Sequence, residues 1–183
     1  MKVIPDSSFF VCFLDDLEGF LTREYRVRIL TMITENFTVI ILSEVESESR
    51  FKRFPESLKA QVQSVNISPD DPITEPAFEL LRPLVGRGEL EVIIYSYLCF
   101  SGGNRTFFII LDDGVARDLV RRLLPDLLGH MKGTVGFLGY CAIQEVLEKN
   151  DVIDFLKAVE KSKFRIDPSI ITEVLKDVQS RCG

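Results

Sequence analysis

The sequence predicts an α/β fold, a three-layer sandwich around a central, mostly parallel sheet, and three observations predict it. Short apolar runs at residues 3–5, 38–42 and 106–111 alternate with longer stretches of helical spacing. The run at 38–42 is β-branched and apolar rather than alternating, as expected of a strand covered on both faces. Carboxylates follow the runs: Asp6 after the first, Glu44, Glu46 and Glu48 after the second, Asp112 and Asp113 after the third. In an open α/β sheet, side chains just past the carboxyl ends of the strands converge on one crevice.

The elements follow in order. Residues 3–5 read as a short buried strand, and residues 9–21 as a helix with Gly19 near a break. Tyr25, Ile29, Met32 and Ile33 stand at i, i+4, i+7 and i+8, one face of a helix that Asn36 ends. After the strand at 38–42, Ser43 suits an N-cap with Glu46 at the capping-box position, starting a short helix over 44–50. Val62, Val65 and Ile67 suit a small strand, and residues 68–72 a loop. Residues 74–76 open a helix that Pro83 kinks or ends. A helix spans 89–99, and 106–111 is the strongest strand. Val115, Leu119, Val120, Leu123 and Leu124 make one apolar helix face, with Arg117, Asp118, Arg121 and Arg122 mostly opposite. Residues 132–136 form a loop or strand end, and 137–149 a helix. Asp151 suits the cap of the next helix, and Asp167 with Pro168 that of the last. No internal repeat or linker interrupts the chain. It reads as one domain over 1–183, with the helices of about 150–180 packed on it as a C-terminal extension.

At 46% hydrophobic and 27% charged residues, the chain has ample material for a core. Its net charge of −6 argues against gripping nucleic acid through a broad basic surface. It does not exclude an enzyme that meets a phosphodiester through bound cations. No run reaches the roughly 18 apolar residues of a membrane span, and the opening is too short and acidic for a signal peptide. The expectation is a cytoplasmic protein that meets no membrane. Cys12, Cys99, Cys141 and Cys182 form no CxxC, which disfavours zinc; Cys182 is expected to be a free, exposed thiol. The lone His130 has no Ser or Cys partner at motif spacing and reads as a satisfied loop histidine.

Four acids meeting in one crevice repel unless a cation sits between them, and hard oxygen ligands suit Mg²⁺ or Mn²⁺. Each has a structural reading as well. Asp6 suits a solvated turn. At most one of Glu44, Glu46 and Glu48 faces the crevice, and the others favour a helix start. Glu89 and Glu91, two apart on a helix, diverge by about 200°. Asp112 and Asp113 suit a pair in which one caps a helix and one binds metal. Arg117 is placed to pair with Asp113 or to bind a phosphate. Thr134 and its flanking glycines suit either a phosphate-binding loop or a plain turn.

Several segments together resemble the PIN-domain ribonucleases, the superfamily of the VapC toxins, and within it a subgroup of uncharacterised bacterial and archaeal proteins. They are Ile4-Pro5-Asp6-Ser7-Ser8, Ser43-Glu44-Val45-Glu46-Ser47-Glu48 and Gly88-Glu89-Leu90-Glu91-Val92-Ile93. Further along come Ile110-Leu111-Asp112-Asp113-Gly114-Val115-Ala116-Arg117, Gly133-Thr134-Val135-Gly136-Phe137-Leu138 and Phe164-Arg165-Ile166-Asp167-Pro168. The acidic pair followed by Ala-Arg and later Gly-Thr-x-Gly-x-Leu is the most specific combination. The chain departs from the pattern where Ser43 replaces a proline, in the bulky Tyr95-Ser96-Tyr97 and in a longer turn at 101–104.

The resemblance implies a metal-dependent endoribonuclease that hydrolyses RNA phosphodiesters. Asp6, Glu48, Glu91 and Asp113 (or Asp112) would be the catalytic acids, and Glu89 and Asp112 would join them as metal ligands at the rim. The cofactor would be Mg²⁺ or Mn²⁺, with one or two ions bound. Ser7, Arg117 and Thr134 would meet the substrate. It further implies a possible small antitoxin partner and a homodimer, for which Phe9, Phe10, Phe20, Phe51 and Phe54 offer an apolar face. The alternative is a PIN-fold binding or scaffold protein with little or no nuclease activity. A phosphohydrolase of the haloacid type fits less well, since Asp6-Ser7-Ser8 lacks the Asp-x-Asp that type needs.

Overall fold

The computed structural model describes residues 1–181; Cys182 and its expected exposed thiol lie outside them. A five-stranded, all-parallel sheet runs through the molecule in the order β3-β2-β1-β4-β5. The strands are β1 (Lys2–Pro5), β2 (Thr38–Leu42), β3 (Gln63–Val65), β4 (Phe107–Ile110) and β5 (Met131–Lys132). From β1 the chain winds outward to β2 and β3, then returns to place β4 on the other side of β1. The winding therefore reverses between β1 and β4, and a crevice opens at their carboxyl ends.

Among the described residues ten α-helices connect and flank the strands: α1 (Ser7–Val11), α2 (Arg23–Asn36), α3 (Ser43–Glu48), α4 (Glu56–Lys59), α5 (Glu75–Leu81), α6 (Arg87–Ser101), α7 (Gly114–Leu123), α8 (Thr134–Ile143), α9 (Lys149–Lys161) and α10 (Pro168–Arg181). Successive residues of β4 serve opposite faces. Phe107 stacks on His130, which in turn meets Phe100 of α6, whereas Phe108 meets Phe137 and Tyr140 of α8. This alternation makes three layers. The His130 Nδ1 bonds the Phe107 carbonyl at 3.0 Å, so the histidine is satisfied structurally.

Several expectations change. The predicted helix over 9–21 is α1 followed by one wide π-type turn at Cys12–Asp16, and Gly19 breaks the chain with a φ of +93°. Arg26 of α2 is buried and donates to the Phe13 and Leu14 carbonyls of that turn, at 2.6 and 2.7 Å. Phe9, Phe10, Phe51 and Phe54 do not form an external face; they pack on one another in the core, and only Phe20 is exposed. Exposed apolar side chains gather instead on α5–α7 and the segments beside them: Leu80, Leu84, Tyr97, Val115 and Leu123. Val115 and Leu123 thus leave the buried face of α7 that Leu119 and Val120 keep.

Asp151 does not cap α9. It lies in the first turn of α9, where Arg28 grips it with two nitrogens at 2.7 and 2.9 Å and the Tyr25 hydroxyl donates at 3.0 Å. Ser43 caps nothing, and its hydroxyl bonds the Asn66 side chain. The last two helices close the fold: α10 packs on α8 and α9. Gly139 of α8 permits that approach, because a Cβ there would collide with the Val174 side chain of α10.

Candidate active-site cleft

A cleft of about 520 Å³ opens at the reversal of the sheet. Ser7 and Ser8 of α1, Asp16 of the π-type turn, Glu89 of α6, Asp112 and Asp113 after β4, and Lys163, Phe164 and Arg165 after α9 line it.

The floor is built from hydrogen bonds that the local sequence requires. Asp6 ends β1 and caps α1, its Oδ1 accepting from the Phe9 amide at 3.2 Å. Its Oδ2 accepts from the Asp112 amide at 3.0 Å, so one fully buried carboxylate ties the ends of β1 and β4 together. Burial, and then the neighbouring Asp112 carboxylate, push the Asp6 carboxyl well above the ordinary range. Asp6 therefore lies beneath the cleft and does not line it.

Asp112 lines the cleft itself, where the rim was expected. Thr134 fixes it from both sides: the Thr134 amide donates to Oδ1 at 2.9 Å and the hydroxyl to Oδ2 at 2.5 Å. Burial raises the Asp112 carboxyl, against the two Thr134 bonds and the nearby Arg117 charge. Fully buried Thr134 thus contacts Asp112 rather than substrate. Arg117 donates to the Leu111 carbonyl at 2.9 Å, beside Asp112 and Gly133 instead of Asp113. Asp113 is exposed and caps α7, its Oδ1 accepting from the Ala116 amide at 2.8 Å.

The two glutamates of α6 exchange places relative to expectation. Glu89 lines the cleft and folds back over the first turn of α6 against Gly86. Burial raises its carboxyl, its own amide opposes that, and Glu48 and Asp113 raise it further. Glu91 turns away: it is buried, and its Oε2 accepts from the Glu44 amide at 2.9 Å at the start of α3. Burial raises this carboxyl too, and the Glu44 amide holds it partly down. Glu48 is exposed and accepts from the Gly88 amide at 3.3 Å, so α3 and α6 bind one another's first turns. Of the expected acids, Glu89, Asp112 and Asp113 therefore share the cleft wall, Asp6 supports it from below, Glu48 borders Glu89, and Glu91 is structural.

The carboxylate donors suit a hard divalent cation, and burial disfavours the charged forms of Glu89 and Asp112 that a cation would stabilise. Among the described residues no three His, Cys, Asp or Glu side chains converge closely enough to hold an ion together. Two carboxylates at a time is what a Mg²⁺ site ordinarily takes from protein, water and substrate phosphate completing its shell.

The sequence reading missed Asp16, Lys163 and Arg165. Asp15-Asp16 closes the apolar run 9–14 much as Asp6 closes the first strand, which was a usable signal. Lys163 and Arg165 flank Phe164 in an irregular stretch, where an anchored Phe164 leaves both charges outward. Compared with family models, with curated proteins and with solved structures, the chain finds no match in any of the three. Among the described residues, no helix is long and apolar enough to cross a membrane.

Proposed function

We propose that this chain is a Mg²⁺- or Mn²⁺-dependent phosphodiesterase of the PIN type that cleaves RNA in the cytoplasm. The observation that carries the reading is that Glu89, Asp112 and Asp113, from two separate segments, line one cleft at the point where a parallel sheet reverses its winding. RNA as substrate, and a small antitoxin or a second copy as partner, come from the family resemblance alone.

Two of Glu89, Asp112 and Asp113 at a time would hold the cation, with water and substrate phosphate completing its shell. A divalent ion there supplies charge neutralisation for the reacting phosphodiester and makes water a better nucleophile at neutral pH. The chain's own residues do the positioning. Thr134 orients Asp112 with two donors, Asp6 holds the Asp112 backbone, and Arg117 braces the Leu111 carbonyl immediately before it. Ser7 lines the same wall and offers a hydroxyl to a phosphate oxygen or to water.

The test is cleavage of a panel of structured RNAs with Mn²⁺, with Mg²⁺ and with EDTA. Metal-dependent cleavage should disappear in Asp112→Asn. A second reading, a PIN-fold binding or scaffold protein, draws on the absence of a preassembled three-acid group among the described residues. RNA bound but left intact under every metal condition would favour it and end the nuclease reading.

A further inference from the structure

We infer that the segment between α9 and α10 is a phosphate-binding wall, on which Lys163 and Arg165 hold a backbone phosphate of the RNA next to the acids. The inference rests on the nucleic-acid reading above and adds the side of the cleft that binds, as distinct from the side that reacts.

The segment is irregular, with a bend at Ser162 and Lys163, and it is pinned. Phe164 is 9% exposed and packs into the core, so its neighbours on either side face solvent and line the cleft. At the entry, the Ser162 hydroxyl donates to the Val159 carbonyl at 2.8 Å and accepts from the Phe164 amide at 3.0 Å. At the exit, the Asp167 carboxylate accepts from the Ser169 amide at 2.9 Å and starts α10. Two cationic side chains thus project from a tethered backbone.

Neither charge is tied up in an ion pair. Among the described residues neither Lys163 nor Arg165 forms an ion pair or a side-chain hydrogen bond, although Asp16, Glu89, Asp112 and Asp113 line the same cleft. Burial, and then the neighbouring Asp15 charge, raise the Asp16 carboxyl, and Lys163 is near enough to oppose that rise. A chain of net charge −6 that lines one cleft with these two cations as well as its acids has a cleft of two signs. A polyanion with a cation bound at one phosphate matches both walls, since a neighbouring phosphate meets Lys163 and Arg165. An apolar or cationic ligand matches neither.

The test is fluorescence anisotropy with a labelled oligouridylate in EDTA, where no divalent ion contributes, over a range of KCl. The double variant K163Q/R165Q should bind at least about tenfold more weakly. Its plot of log affinity against log salt should flatten by about 1.4, roughly 0.7 for each lost contact to a single strand. K157Q/K161Q on the exposed side of α9 removes the same charge away from the cleft and should leave both quantities unchanged.

Equal losses in the two double variants would reduce the effect to net charge and overturn the inference, as would wild-type affinity in K163Q/R165Q or no binding by the wild-type chain. Failure here with metal-dependent cleavage intact sinks the wall and leaves the nuclease. Binding lost in K163Q/R165Q, in a chain that never cleaves, sinks the nuclease and leaves the wall.

Discussion

Replacing Thr134 by valine tests the architecture of the cleft most directly. The side chain is fully buried, so the change deletes a hydroxyl at nearly constant shape. That hydroxyl donates to Asp112 Oδ2 at 2.5 Å, and the Thr134 amide still serves Oδ1 afterwards. A hydrogen bond to a charged group contributes about 1.5–3 kcal/mol, and a neutral one about 0.5–1.5 kcal/mol. At neutral pH, Thr134→Val should therefore lower the unfolding free energy by about 1.5–3 kcal/mol. For a domain of this size that is a Tm lower by roughly 3–12 °C. Urea denaturation should carry most of the loss in the midpoint, with the slope unchanged. In an Asp112→Asn background the same substitution should cost only the neutral value, about 0.5–1.5 kcal/mol, and the difference is the coupling between the two side chains. Asp112 should also lose ionisation more readily in Thr134→Val, because one of the bonds holding its carboxyl down is gone. A full-sized loss that is identical in the Asp112→Asn background would refute the reasoning.

Three further outcomes follow from the same geometry. Asp6, Glu89, Glu91 and Asp112 all have raised carboxyls, so between the ordinary carboxylate range and those raised values the folded state binds more protons than the unfolded one. Stability should rise as pH falls from neutral to about 5, then fall below about pH 4 as Asp151 and Asp167, both held low in the fold, become protonated; a Tm that only falls on acidification would contradict this. Millimolar Mn²⁺ should raise Tm at pH 7 by binding the folded state, and Glu89→Gln should weaken that shift whereas Glu91→Gln should not, its cost appearing as about 1 kcal/mol of lost stability in metal-free buffer. Arg28→Met should destabilise the docking of α9 on α2 by about 1–3 kcal/mol, since it strips a paired carboxylate of two donors, and limited proteolysis should then cut α9 first.

The strands β1, β2 and β4 were legible because each is a short apolar run bounded by polar residues, and β5 was not, because two residues carry no period. The acids after β1 and β4 were legible for the same reason: a strand end fixes position without reference to anything distant. The glutamates of α6 were not. The helix starts at Arg87, two residues ahead of the expected start, and two positions turn a side chain by about 200°. Which glutamate faced the cleft therefore hung on a boundary that local pattern sets poorly. Ser43 and Asp151 looked like caps, but tertiary partners had a stronger claim: Glu91 serves the Glu44 amide, and Arg28 with Tyr25 occupy Asp151. Phe9 and Phe10 seemed surplus only because the sequence does not reveal that Phe13, Phe51, Phe54 and Phe137 close around them together.

Gly139 sets a dimension. The missing methyl lets α10 seat against α8, and the polypeptide reaching α10 is the stretch that carries Lys163 and Arg165. The wall that carries Lys163 and Arg165 is therefore tied, through α10, to a helix contact that holds no charge. Alanine, then valine, at 139 would act as spacers of increasing thickness, lifting α10 and its leading strand of chain while the parallel sheet and its acids stay in register.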